Sequence, residues 1–153
     1  MGFRSEIGYT QIIFLLILGT VSVLGVGNMA KTIVVGGSEG WRFGFNYTVW
    51  AFNNGPYYLN DTLVFKYDPP NSTTHPHNVY LLRDFWSYRR CDMRRAKMIG
   101  NVTDGVGEGL KVVLKRWQPY YFACTERDGY HCNQGQMKFP IFPMPRCRNT
   151  THG

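Results

Sequence analysis

Six short apolar runs, each broken off by turn residues, set the limits on how this chain can fold. KTIVV (31–35) is rich in β-branched residues and stops at Gly36-Gly37. TLVFKY (62–67) puts Leu63, Phe65 and Tyr67 on one side and stops at Asp-Pro-Pro. HNVYLL (77–82) follows, then LKVVLK (110–115), where Leu110, Val112 and Leu114 share a side. YYFAC (120–124) and MKFPIF (137–142) complete the set. Short period-two runs with turn signals between them predict an all-β antiparallel sandwich or barrel. Only NYTVWAFNN (46–54) and parts of 84–99 are expected as brief helices. Pro119, Pro140 and Pro143 are expected at strand starts or edges, because proline cannot donate to a ladder. The 153 residues suffice for one domain with a core of its own and show no internal repeat or linker.

The first residues read differently. Residues 1–11 are polar and carry Arg4, residues 12–27 are an apolar run, and small residues follow to Ala30. This is the layout of a secretory signal peptide, assigned to 1–30. An uncleaved anchor is the alternative, for which the run is short against the roughly 20 residues a span needs. Asn-x-Ser/Thr sequons at Asn46, Asn60, Asn71, Asn101 and Asn149 agree with export and predict a glycosylated surface. The folded domain is placed at 31–143, with 144–153 as a flexible tail. The net charge of +7 invites polyanions. For a secreted protein these are acidic polysaccharides or membrane headgroups rather than nucleic acid. The densest basic cluster is RRCDMRRAK (89–97), which also reads as a solvated loop.

Chemistry concentrates in one connection. ACTERDGYHCNQGQMKF (123–139) holds Cys124, His131, Cys132, Gln136 and Met137. A thiolate, two imidazoles and a weak sulfur or amide donor form the set that suits an electron-transfer copper site. Thiolate favours Cu(I), imidazole accepts both oxidation states, and a trigonal arrangement fits neither fully, so little has to move with the electron. The second imidazole must come from outside the loop, from His75 or His77, of which His77 opens a predicted strand. Four cysteines allow three complete pairings, and the sequence leaves open whether Cys124 is joined to Cys91, Cys132 or Cys147.

Several segments together resemble a known family. VVGGSEGW (34–41), YTVWA (47–51), NDTLVFKY (60–67), HNV (77–79) and YFACTERDGYHC (121–132) occur in the order found in the phytocyanins, plant blue copper proteins of cupredoxin fold. The similarity is greatest to their basic plantacyanin type. Asn60 stands where the family usually has glycine. The resemblance implies a Greek-key β-sandwich and one type 1 copper ion held by His77, Cys124 and His131. It also implies a Cys91–Cys132 disulfide and an exposed edge of His131 for electron exchange.

The axial donor departs from the family pattern. Its usual spacing points to Gln136, whereas MKFPI resembles the strand of the Met-ligated members. Period two puts Met137 on the apolar side with Phe139 and Ile141, and Gln136 on the other. Met137 is therefore the expected donor, with Gln136 the alternative if a bulge shifts the register. Trp41, Trp50, Phe65, Tyr121 and Phe122 are expected in the core, Trp86 and Trp117 are open to exposure, and His75 and His152 read as loop and tail residues. The expected function is one-electron transfer by a secreted monomer, with its redox partner undefined and no anchor after signal cleavage. The alternative is a structural or signalling wall glycoprotein with copper incidental. An enzyme is not expected, since oxygen reduction needs a multi-copper cluster that four histidines cannot build beside this site.

Overall fold

The computed structural model describes residues 29–146. The signal segment up to residue 28, Cys147, Asn149 and His152 lie outside the described residues. In chain order the strands are β1 (Thr32–Val34), β2 (Thr62–Phe65), β3 (Val79–Leu82), β4 (Lys97–Gly100), β5 (Leu110–Val113), β6 (Tyr120–Ala123) and β7 (Lys138–Ile141). The helices are α1 (Tyr47–Asn53), α2 (Phe85–Arg90) and the single turn α3 (Tyr130–Asn133), with a 3-10 turn at Gly37–Glu39. One sheet runs β1-β2-β5 and the other β4-β3-β6-β7.

All six expected runs form strands, and three elements differ from expectation. β1 pairs parallel to β2 (Ile33 opposite Leu63), whereas every other strand pair is antiparallel. Residues 35–61, which include α1, give the chain the long crossover that a parallel pair needs. β4 falls at the end of a stretch read as helical. It is an outer strand, mostly exposed, and its pairing with β3 is shifted at Val79/Tyr80. Its strand conformation comes from that pairing and not from an alternating pattern. α3 lies where only a loop was expected.

The core fills the space between the sheets. Phe139 of β7 is its hub, with ring centroids 5.2 Å from Phe122, 5.6 Å from Trp50 and 5.9 Å from Trp41. Alternation along β7 sends Phe139 and Ile141 inward and leaves Pro140 exposed on an edge strand, where its missing N–H costs nothing. α1 adds Tyr47, Trp50 and Ala51 from one face, and its N-terminus is capped by the Asn46 side chain, whose Oδ1 accepts from the Val49 N–H. Tyr121 departs from expectation. It points to the other side of β6 from its neighbour Phe122, is only half-buried, and packs 5.5 Å from Tyr88 of α2 on the outer face.

The domain does not end at Pro143. The Met144 N–H donates to the Tyr57 carbonyl and the Leu59 N–H to the Met144 carbonyl, both at 2.9 Å. Arg146 forms an ion pair with Asp61, which is fully buried and also accepts the Lys31 and Tyr58 N–H groups. The carboxylate needs that cation, so residues 144–146 are docked rather than frayed. We predict that Arg146→Ala lowers unfolding free energy by about 3 kcal/mol in a denaturant titration, because it strands a buried charge. A frayed residue would cost less than about 0.5 kcal/mol.

Candidate metal centre

The centre forms where three neighbouring strands of one sheet end or begin. β6 lies between β3 and β7 and delivers Cys124 just past Ala123. His77 stands two residues before β3, whose Tyr80 pairs with Ala123. Beyond Cys124 the chain turns through Arg127, Asp128 and Gly129, all at positive φ, into α3, which carries His131 and Cys132. Met137 then closes the loop. The Cys124 N–H donates to its carbonyl, and its own N–H donates to the His131 carbonyl, both at 3.0 Å.

His77, Cys124 and His131 are 9 %, 0 % and 2 % exposed. Their donor atoms make a triangle: His77 Nδ1 to His131 Nδ1 is 3.3 Å, Cys124 Sγ to His131 Nδ1 is 3.5 Å, and Cys124 Sγ to His77 Nδ1 is 3.9 Å. The point equidistant from all three lies about 2.1 Å from each, the length of a bond from a transition metal to nitrogen or sulfur. These are the one His, Cys, Asp or Glu cluster of metal-binding geometry among the described residues. A trigonal thiolate with two imidazoles fits one type 1 copper ion.

Met137 is fully buried beside Cys124 in the core cluster. Gln136 is exposed, at φ 53°. His75 is also exposed and stays outside the triangle. Cys91 and Cys132 are joined by a disulfide, and Cys124 is the one free cysteine among the described residues.

Sequence reasoning missed three supports of the site. Asn78 ties the two halves together: its carbonyl side-chain oxygen accepts the Thr125 N–H at 2.8 Å, and its amide donates to Glu126 at 2.6 Å. The Trp41 indole N–H donates to the Asn78 backbone carbonyl at 3.0 Å. Phe43 packs edge-on to His131, with centroids 5.2 Å apart, and stacks on Tyr130 at 5.6 Å. Gly135 makes that approach possible, since a Cβ there would lie 2.5 Å from the Phe43 ring and 2.6 Å from the His131 carbonyl. His131 is thus covered, contrary to the exposed edge expected of it. His77 instead borders a cleft of about 510 Å³ rimmed by Arg42, Phe43, Lys66 and His75.

Electrostatics prepare the imidazoles and not the thiol. Burial, with His131 and His75 nearby, lowers His77 to about 4, and burial with Arg127 and His75 lowers His131. Both rings are neutral at pH 7 and can donate to a metal. Burial pushes the Cys124 thiol up to about 11, so a metal must displace its proton on binding.

A family profile described as plastocyanin-like domain matches residues 41–136. The chain belongs to the plastocyanin-like domain family. Two relatives from Medicago truncatula, blue copper proteins 1b and 1a, are each 26 % identical over 133 residues, covering 86 % of this chain and 73 % of theirs. Cucumber stellacyanin, solved with Cu2+, superimposes with a TM-score of 0.58 at 24 % identity, covering 78 % of this chain and all of that one. Spinach plantacyanin gives 0.50 at 24 % identity, covering 74 % and 99 %. These likenesses establish the cupredoxin fold, and with the family match they make the chain a phytocyanin. They do not single out the plantacyanin type.

The histidine shifts give this phytocyanin a pH dependence. An unfolded imidazole takes its proton near about 6.5, whereas folded His77 does so only near about 4. Between these values the unfolded chain holds more protons, so stability rises with pH. We predict that the metal-free protein is fully stabilised by this term above about pH 6.5 and loses it as the pH falls toward 4. Denaturant titrations across that window check this, and a flat profile would contradict it.

Proposed function

We propose that the chain is an exported one-electron carrier whose copper is held by His77, Cys124 and His131, with Met137 as the weak axial donor. The observation that carries this reading is the buried triangle with its centre at bonding distance from all three donors. Copper bound there would supply the chemistry, a one-electron change between Cu(II) and Cu(I). The protein fixes geometry. The Asn78 bridge and the Cys91–Cys132 disulfide restrain the two segments that supply the donors, and buried aromatics exclude water. Ligands held this way keep one arrangement in both oxidation states. His77, bordering the cleft, is then the most exposed edge of the centre.

Met137 is favoured over Gln136 by its burial and by its backbone bonds to both Cys124 and His131. Export fits the sequence layout of residues 1–30 and the sequons, of which Asn46, Asn60, Asn71 and Asn101 are exposed. No helix among the described residues is long and apolar enough to cross a membrane. A wall glycoprotein indifferent to copper would leave this buried donor triangle without a use.

Three variants test the reading. Cys124→Ser should abolish the intense visible absorption of the copper-loaded protein, which requires a copper–thiolate bond. Met137→Leu should keep that band and raise the reduction potential in a redox titration, because a weak donor to Cu(II) is removed. Gln136→Leu should leave the potential unchanged. A blue Cys124→Ser protein would refute the ligand assignment, and a potential shift for Gln136→Leu alone would exchange the axial donors.

A further inference from the structure

A second cleft, of about 400 Å³, opens on the outer side of the β4-β3-β6-β7 sheet, around α2 and the loop after it. It takes no part in the metal centre. Four arginines line it, Arg83, Arg90, Arg94 and Arg95, against two aspartates, Asp84 and Asp92. Asp92 is paired with Arg94 at 2.6 Å, and Asp84 lies 3.8 Å from Arg83 while capping α2 through the Ser87 N–H. Arg90 and Arg95 have no carboxylate within ion-pair distance among the described residues. Arg90 is instead held over the Trp86 ring, 5.9 Å from its centroid. Trp86 itself is 63 % exposed.

The scaffold beneath is fixed. α2 ends at Cys91, whose disulfide reaches Cys132. The Lys138 ammonium donates to the Tyr88 and Arg89 carbonyls at the end of the same helix, at 3.2 and 3.3 Å. The end of α2 is thereby pinned, which removes its ordering from the cost of binding a ligand.

These groups differ from a plain basic patch. Free guanidinium forks match carboxylates in a bidentate manner. An exposed indole offers a flat apolar face to the C–H side of a sugar ring. The two carboxylates in the lining, Asp84 and Asp92, have oxygens that can accept hydroxyl donors beside their present partners, and their charge repels closely spaced phosphates or sulfates. The ligand that satisfies all three demands carries one carboxylate per ring, many hydroxyls and an apolar ring face. We propose that this cleft is a binding site for an acidic polysaccharide built of uronic acid units. The site stands apart from the copper reading and does not depend on it.

The test is calorimetric titration of the copper-loaded protein with a short oligogalacturonate near physiological salt. The same titration is run with its methyl ester, which has lost the charge, and with heparin and polyphosphate, which carry denser charge. We expect the oligogalacturonate to bind and the ester to bind more weakly by at least about tenfold. Trp86→Ala and the pair Arg90→Gln/Arg95→Gln should each weaken binding by about tenfold. The pair Lys115→Gln/Arg116→Gln, equal in charge and outside the cleft, should not. The proposal is overturned if the oligogalacturonate does not bind, or if heparin or polyphosphate binds as tightly. It is overturned equally if the distant pair weakens binding as much as the cleft variants, or if Trp86→Ala has no effect.

Discussion

Three donor atoms that gain little from one another without a metal are kept within 4 Å by the order of strands in a single sheet and by the β6–β7 connection that carries His131 on α3. β6 lies between β3 and β7, so Cys124 at its end has the His77 segment on one side and Met137 on the other. Moving either neighbour by one residue would turn His77 or Met137 to the opposite face. The site is therefore set by the sheet register for His77, Cys124 and Met137, and by the β6–β7 connection for His131. In the metal-free chain burial raises the thiol and lowers the histidines, so an incoming cation meets neutral imidazoles ready to donate and must displace the proton of the thiol.

What secures the register is the aromatic core. Phe139 meets Phe65, Phe122, Trp41 and Trp50 from both sheets and α1, so β7 cannot slide without emptying the middle of the sandwich. Trp41 couples this core to the site through its bond to the Asn78 carbonyl, and Asn78 in turn holds the loop after Cys124. From the same stretch as Trp41, Phe43 closes over His131. The segment 41–44 thus joins core packing to the exposure of the metal ligands, and it leaves His77 facing the cleft.

The donors were legible because each belongs to a local signal. His77 opens one apolar run of the sequence and Cys124 ends another, each lying just outside the strand that forms, and the period of two along 137–141 puts Met137 on the side of Phe139 and Ile141, all three of which are buried while Gln136 is exposed. The Cys91–Cys132 pair followed from family resemblance and not from spacing. Features made by tertiary contact were not legible. β4 is a strand only because β3 offers it hydrogen bonds, and β1 runs parallel because of the crossover after it. The docking of 144–146 depends on Asp61, far away in sequence, and the cover over His131 depends on Phe43 reaching across to Gly135. None of these leaves a periodic trace in its own segment.

The central claim is that Cys124, His77 and His131 converge on one metal position. X-ray absorption at the copper edge of the loaded protein reads that position directly. The account predicts two imidazole nitrogens and one short sulfur in the first shell, with a longer, weaker sulfur beyond. A first shell of nitrogen and oxygen alone would contradict it.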